Sequence, residues 1–228
     1  MKVSEAVQSR LSVRAFLDTP VSRDVLETVL ALGGRAASGG NLQPWRLYVY
    51  SGQHLADFKV KMRARLLNDP SSDPLEYDVY PDNLWEPYRT QRFRVGEMMY
   101  ALLGIPRENK AARLLWLTQN YEFFGAPVGL FCYIDRKMGP PQWSDLGMYL
   151  QTVMLLLREH GLSSCAQECW SRYSRAVGEL TCAPPELMLF CGMAIGFADP
   201  DAPVNRLASE RMTLDEFATF KGFEEAGK

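Results

Sequence analysis

A helical segment from Asp145 to His160 is apolar around most of its circumference, and this restricts the possible folds more than any other part of the chain. Its apolar residues are Leu146, Met148, Tyr149, Leu150, Val153, Met154, Leu155, Leu156 and Leu157. Such a helix must be covered on several sides, and Gly161 is its expected stop signal. Two arrangements remain open: the central core helix of a monomer, or a helix covered jointly by its own core and a second subunit.

Length and charge balance restrict the class of protein further. With 228 residues the chain can form a sizeable core, and we expect a single domain over residues 1–228. The 25 basic and 27 acidic side chains leave a net charge of -2. A nearly neutral chain has no overall field that would recruit nucleic acid, so any anion site must be local.

Cysteine usage and hydropathy indicate a cytoplasmic protein. The five cysteines are odd in number and lack paired spacing, which argues against a disulfide framework. Cys165 and Cys169 do not have the spacing of zinc ligands, and only His54 and His160 could complete such a site, so we expect no metal. No apolar run approaches the roughly 20 residues of a membrane span, and the N-terminus lacks an apolar signal core.

Apolar periodicity divides the chain into helices and strands. It predicts helices over 3–9, 22–32, 55–66, 88–103, 107–123 and 145–160, and Pro106 is the expected start of the fifth. It predicts strands over 45–50, 126–134 and 187–195. Prolines among polar and aromatic residues indicate a variable surface excursion at about 68–93. Strands separated by helices, without a GxGxxG or Walker-type phosphate loop, indicate an α+β sheet covered by helices.

Basic and hydroxyl side chains alternate near the N-terminus. In an extended segment, Arg10, Ser12 and Arg14 lie on one face, and Leu11 and Val13 lie on the other. The guanidinium groups can bind phosphate oxygens through paired donors, and the Ser hydroxyl adds another donor. The same pattern fits a solvated basic edge strand, so these residues alone leave both interpretations open.

Four segments occur in an order that resembles one known family. They are Arg10 to Arg14, the polar loop from Ser38 to Trp45, the turn from Gly161 to Glu168, and the stretch from Gly196 through Arg211 to Phe217. Together they resemble the FMN-dependent, oxygen-insensitive nitroreductase family nearly from end to end. The resemblance implies a central mixed, mainly antiparallel sheet flanked by helices. It also implies an intertwined homodimer with two FMN sites, each built from both chains.

The resemblance assigns cofactor contacts by position. Arg10, Ser12 and Arg14 match contacts to the FMN phosphate and ribityl chain, and Arg211 matches a C-terminal arginine that binds the same phosphate. Many relatives carry a second basic residue where this chain has Ser209, so Arg206 is a candidate substitute. The other expected contacts lie in the loop and the turn: Ser38, Gly39, Asn41, Gln43, Ala166, Gln167 and Glu168.

The implied chemistry is that of the flavin. NADH or NADPH passes hydride to flavin N5 and leaves, and an electron-poor aromatic takes its place, so that a nitro group becomes nitroso and then hydroxylamine by a ping-pong mechanism. No catalytic acid or base is required, and a backbone N–H of the 166–168 turn donates toward N5. Cys165 is expected to pack rather than react. The alternatives are a quinone, enone or flavin reductase on the same scaffold, and an FMN-binding dimer without turnover.

Aromatic residues are the candidates for substrate contact, although each also fits the packing of a small lobe onto the body of the protein. They are Tyr80, Trp85, Tyr88, Phe93 and Trp143. Arg89 and Arg92 fit either the attraction of an acidic substrate such as a nitrobenzoate or a solvated helix face. No motif in the sequence distinguishes NADH from NADPH as the donor.

Overall fold

The structure of the protein, a computed structural model, describes residues 1–223. Its helices are α1 (Val3–Ser9), α2 (Arg23–Gly33), α3 (Gly52–Asn68), α4 (Tyr88–Leu102), α5 (Lys110–Thr118), α6 (Pro140–Glu159), α7 (Ser174–Thr181) and α8 (Leu214–Phe217). Its strands are β1 (Arg46–Ser51), β2 (Val128–Asp135), β3 (Ser163–Gln167) and β4 (Leu187–Gly196). This succession confirms the expected α+β class. None of these helices is long and apolar enough to cross a membrane.

The strands form one sheet in the order β1-β2-β4-β3, and all three strand pairs are antiparallel. Within residues 1–223, parallel pairing is limited to a single bridge between Ser12 and Ser164. The four strands are thus antiparallel throughout, and the parallel component of the expected mixed sheet is this bridge alone. Because β3 is an edge strand, its outer side can be covered by another segment or left open to a ligand.

The sheet is the middle layer of the fold. Leu130 and Cys132 of β2 belong to a core formed with α2 and α6, and Phe131 and Tyr133 belong to an aromatic core formed with α3 and α7. Successive residues of a strand face opposite sides, so β2 is buried on both faces, which explains its continuous apolar sequence. In the aromatic core, the ring centroids of Phe131 and Trp170 are 5.1 Å apart.

The long apolar helix predicted from the sequence is α6, although it begins at Pro140 rather than Asp145. A proline in the first helical turn lacks an N–H that would have no partner within the helix, so the start at Pro140 is favourable. Val153 and Leu157 are fully buried against the sheet, whereas Met148 is 42% exposed. One chain therefore covers this helix incompletely.

The helix predicted over residues 107–123 is wrong at both ends. Pro106 does not start α5, because the Oδ1 atom of Asn109 caps the helix by accepting a hydrogen bond from its first turn at 3.0 Å. The helix stops before Phe123 and Phe124, whose φ values of 52° and 53° lie in the left-handed region. The capping preference of Asn thus prevails over the preference of proline for a helix start.

The turn predicted from Gly161 to Glu168 contains the strand β3, and the helix α7 that follows was not predicted. β3 consists of small and polar residues and lacks the alternating large apolar side chains typical of a strand. It is extended because it pairs with β4 from Ser163 opposite Gly196 to Gln167 opposite Gly192. Long-range pairing therefore determines this strand.

A buried acid anchors the segment between α3 and α4, which contains no helix or strand. Asp73 is 4% exposed, and its Oδ1 atom accepts a hydrogen bond from Arg65 Nη2 at 3.1 Å. Its Oδ2 atom accepts another from the backbone N of Ala176 at 3.0 Å. Ala176 lies in the first turn of α7, where a carboxylate also interacts favourably with the helix dipole. Asp73 thus ties the segment that leads into α4 to both α3 and α7.

We expect Asp73→Ala to lower the free energy of unfolding by about 3 kcal/mol, because it leaves the Arg65 guanidinium and the Ala176 N–H without their buried partner. Urea unfolding followed by circular dichroism measures the change. Asp78→Ala, at an exposed position of the same segment, is the matched control and should change stability by less than about 0.5 kcal/mol. Equal losses in the two variants would contradict the anchoring role.

Candidate functional site

The N-terminal basic segment lies along the outer edge of β3. Val13 N donates to Ser164 O at 3.1 Å, and Val13 is 4% exposed, whereas Arg10, Ser12 and Arg14 are half-buried. The bridge at Ser12 confirms that the segment is extended. The alternating side chains therefore separate as expected: Val13 enters the protein interior, and the basic and hydroxyl groups remain accessible.

Asn205 holds the N-terminal and C-terminal segments together. Its Oδ1 atom accepts a hydrogen bond from Arg14 N at 2.8 Å, and its Nδ2 atom donates to Ala15 O at 2.8 Å and Asp199 O at 2.9 Å. Arg206 is the next residue and is exposed. Sequence reasoning missed the role of Asn205, because the pairing crosses 191 positions and no local pattern indicates it.

Beside this segment, β3 has backbone groups that face outward. The N–H and C=O groups of a residue in an antiparallel strand point to the same side, and the side alternates along the strand. Since Ser164 O points outward to Val13, the N–H of Ala166 also points outward, away from β4. Ala166 is exposed, whereas its neighbours Cys165 and Gln167 are buried. The second half of the β3 edge is thus open to a ligand next to the basic segment.

The three other side chains at this edge have different environments. The side chain of Gln167 points inward, where its Nε2 atom donates to Asn120 O at 2.7 Å. Its backbone N–H and C=O groups face β4 by the same alternation, so the contact expected at Gln167 is not turned to the open edge. Burial raises the pKa of the Cys165 thiol, against the opposing effect of the nearby Arg14 and Arg10 charges. The neutral thiol agrees with a packing role. Desolvation also raises the pKa of the Glu168 carboxyl.

The polar loop before β1 is held in an exposed, preorganised conformation. Gly39 N donates a hydrogen bond to Oδ1 of the buried Asp145 at 3.2 Å. Gln43 N donates another to Ser38 Oγ at 3.1 Å. Asn41 and Gln43 have φ values of 57° and 49°. Left-handed backbone at residues other than glycine is strained and is frequent at functional sites. Asp145, where the sequence predicts only the start of a helix, is therefore a positioning residue for this loop.

A groove of about 1050 Å³ lies between α4 and the C-terminal tail. Its walls contain aromatic and apolar residues, three arginines and two glutamates. The lining includes Tyr80, Tyr88, Arg92, Arg94, Glu210, Arg211 and Glu216. Sequence reasoning missed Arg94, because a basic residue on an amphipathic helix gives no local signal of its own. Arg94 Nη1 lies 3.1 Å from Glu210 Oε2, and Arg211 Nη1 donates to Ser209 Oγ at 2.6 Å.

The structure places the aromatic candidates in different environments. Tyr80 and Tyr88 line the groove. Trp85 is exposed and packs edge-to-face on Tyr88 at 5.5 Å, and the exposed Phe93 lies under the Arg107 guanidinium at 5.2 Å. Trp143 instead packs on the core, 6.4 Å from the ring of Phe190. The groove therefore brings together only part of the set suggested by the sequence.

Taken together, the site offers guanidinium groups, hydroxyl groups and free backbone N–H groups along one sheet edge and one groove. These donors suit a flat ligand that carries a phosphate. Within residues 1–223 no three His, Cys, Asp or Glu side chains are grouped for metal binding.

Glu168→Gln provides a pH test of the site. The folded state binds the Glu168 proton more tightly than the unfolded state does, so wild-type stability falls as pH rises through the carboxyl range from about 4 upward. The variant lacks this loss. The free energy of unfolding of Glu168→Gln minus that of the wild type should therefore increase between about pH 4 and pH 7, as measured by urea unfolding. A difference that stays constant or decreases would contradict the desolvated environment.

Comparison with known proteins shows the family of the chain. The model of the nitroreductase family matches residues 7–197. A 4-nitrobenzoate reductase from Pseudomonas putida is 38% identical over 96% of this chain and 95% of its own length, and a nitrobenzene nitroreductase from Ectopseudomonas oleovorans is 32% identical over 96% of each. The crystal structure of the FMN and NADPH-dependent nitroreductase NfnB from sphigopyxis sp. strain HMH superimposes with a TM-score of 0.94 at 48% identity, over 98% of this chain and 100% of that one. The chain belongs to the nitroreductase family.

Proposed function

We propose that this protein is an FMN-dependent NAD(P)H nitroreductase that reduces nitroaromatic compounds in two-electron steps, from nitro to nitroso and hydroxylamine, by a ping-pong mechanism. The observation that carries the proposal is the docking of the Arg10–Arg14 segment on the edge of β3 beside the free N–H of Ala166. This arrangement supports the proposal because it puts guanidinium and hydroxyl groups, which suit a phosphate, next to an outward-facing backbone donor. We place the protein in the cytoplasm, since all five cysteines are free thiols.

The residues present fit FMN. Arg10, Ser12 and Arg14 supply donors along one face, and Arg211 with Arg94 supplies guanidinium groups in the groove. Asn205 connects these two parts, because it bonds to the N-terminal segment from within the C-terminal one. We assign Arg206 no more than a supporting charge, since it is exposed beside Asn205.

When bound, FMN supplies the redox chemistry: it accepts hydride from the nicotinamide and returns it to the acceptor. The protein contributes orientation and electrostatics. The Ala166 N–H is the proposed donor toward the flavin ring, and the N–H of Glu168, which follows the strand, is a second candidate, whereas the Gln167 N–H faces β4. The arginines bring positive charge that favours an electron-rich ligand, and because these groups are already held in place, little reorganisation is required.

The relatives support both the cofactor and the substrate class. NfnB is described as FMN and NADPH-dependent, and the relatives from Pseudomonas putida and Ectopseudomonas oleovorans are named for reduction of 4-nitrobenzoate and nitrobenzene. We extend these properties to this chain because the matches cover almost its whole length. NADPH is supported by NfnB, and NADH stays an open alternative.

Kinetic measurements test this proposal. Oxidation of NADPH or NADH should depend on both added FMN and a nitroarene such as nitrobenzene, and double-reciprocal plots at several acceptor concentrations should be parallel. Turnover of quinones or enones with no turnover of any nitroarene would contradict the assignment. Bound flavin that NADPH and NADH both fail to reduce would instead indicate a binding protein without turnover.

Arg10→Ala and Arg211→Ala should each weaken FMN binding by about 10- to 100-fold, because each removes a charge-assisted hydrogen bond to phosphate. Quenching of FMN fluorescence by the apoprotein measures the dissociation constant. Arg23→Ala is the control, since Arg23 is exposed on α2 and pairs with Glu27 at 2.7 Å. Undiminished FMN affinity in both test variants would overturn the phosphate assignment.

We further propose a homodimer in which the exposed loop at residues 38–43 reaches the flavin of the partner subunit. Apolar side chains that one chain leaves open support it: Val3 of α1 is 77% exposed, Leu115 of α5 is 67% exposed, and Met148 of α6 is 42% exposed. An apolar helix that one chain covers incompletely, as α6 is, fits a contact with a second subunit.

Leu115→Glu should shift the protein from dimer to monomer at micromolar concentration, because it places a charge in an apolar interface. Size-exclusion chromatography with light scattering gives the mass. Leu67→Glu, at a position that is 84% exposed near the end of α3, is the matched control and should stay dimeric. A monomeric wild type, or a Leu115→Glu variant that remains fully dimeric, would contradict this interface.

A further inference from the structure

We propose that the groove between α4 and the C-terminal tail accepts a nitroaromatic acid, and that Arg92 binds its carboxylate. The inference rests on the function proposed above and specifies its substrate: an anionic, benzoate-like nitroarene in preference to a neutral one. It assigns Arg92 a role in substrate specificity, separate from the arginines assigned to the FMN phosphate.

The two glutamates of the groove have other partners, so the Arg92 guanidinium is available to a ligand. Glu210 forms an ion pair with Arg94 at 3.1 Å. Glu216 accepts hydrogen bonds from the N and Oγ1 atoms of Thr213 at 2.7 and 2.9 Å, and so caps the start of α8. Both carboxylates of the groove are therefore engaged. Within residues 1–223 no carboxylate oxygen lies within 4.0 Å of the Arg92 guanidinium.

The position of Arg92 suits an aromatic acid. Its guanidinium carbon lies 4.1 Å from the centroid of the Tyr80 ring, so the aromatic face holds the planar group by a cation–π contact. A cation–π contact uses the charge of the guanidinium and not its hydrogen-bonding capacity, and the planar N–H donors of an arginine match the two oxygens of a carboxylate. Tyr80 therefore orients Arg92 without neutralising its charge.

The walls of the groove suit the rest of such a molecule. Tyr80 and Tyr88 offer aromatic faces, and Leu84, Val95 and Met98 offer apolar surface. The volume of about 1050 Å³ is slightly above the roughly 300–1000 Å³ typical of small-molecule sites, which leaves room for a benzene ring beside the proposed phosphate contacts of Arg94 and Arg211.

The test compares 4-nitrobenzoate with 4-nitrobenzamide, which has nearly the same shape and no charge. We expect the FMN-loaded wild type to have the higher kcat/KM for the acid, and Arg92→Gln to reduce this preference about tenfold, mainly through KM. Arg92→Lys should keep part of the preference, because it retains the charge but not the planar pair of donors. FMN affinity should be unchanged in Arg92→Gln.

Arg89→Gln is the matched control. Arg89 lies on the same helix, pairs with Glu86 at 2.8 Å, and does not line the groove, so its loss should leave the preference unchanged. An unchanged preference in Arg92→Gln, an equal loss in Arg89→Gln, or a wild type without preference for the acid would each overturn the assignment.

Binding of benzoate and benzamide, measured by isothermal titration calorimetry on the FMN-loaded protein, separates this inference from the proposed function. Benzoate preference that depends on Arg92, in a protein that reduces no nitroarene, would contradict the proposed function and support the carboxylate site. Nitroarene reduction without any such preference would contradict the carboxylate site alone.

Discussion

The pairing of the N-terminal segment with the edge of β3 is the contact on which the site depends. Val13 N donates to Ser164 O, so Ser12 and its basic neighbours are placed along one half of the strand edge, and the Ala166 N–H remains free on the other half. Because Val13 is buried, the segment can slide or rotate only at the cost of exposing an apolar side chain. The same contact thus fixes the register of the basic groups and the position of the open donor.

Hydrogen bonds join the C-terminal part of the site to the N-terminal segment, and an ion pair joins the C-terminal tail to α4. Asn205 bonds to Arg14 and Ala15, and the chain then continues into the tail that forms one wall of the groove. On the other wall, α4 is reached through a segment that Asp73 ties to α3 and α7. The groove therefore lies between two segments that Asn205 and the buried Asp73 anchor to the rest of the protein.

Sequence patterns predicted the elements that bury much apolar surface and missed those determined by long-range pairing. α6 and β4 were predictable from their apolar residues, and the alternation of Arg10, Ser12 and Arg14 predicted an extended segment. β3 was not predictable as a strand, because its small residues carry no periodic signal and only its partner β4 makes it extended. Likewise, no local pattern indicates the inward side chain of Gln167, the bonds of Asn205 or the core packing of Trp143, since each depends on residues far along the chain.

An anaerobic spectral titration of the FMN-loaded protein tests the central claim most directly. NADPH or NADH should bleach the flavin absorbance with one equivalent of donor, and subsequent 4-nitrobenzoate should restore it, since both half-reactions use the same flavin held at the β3 edge. A protein that fails to bind FMN, or whose bound flavin neither donor reduces, would contradict the account.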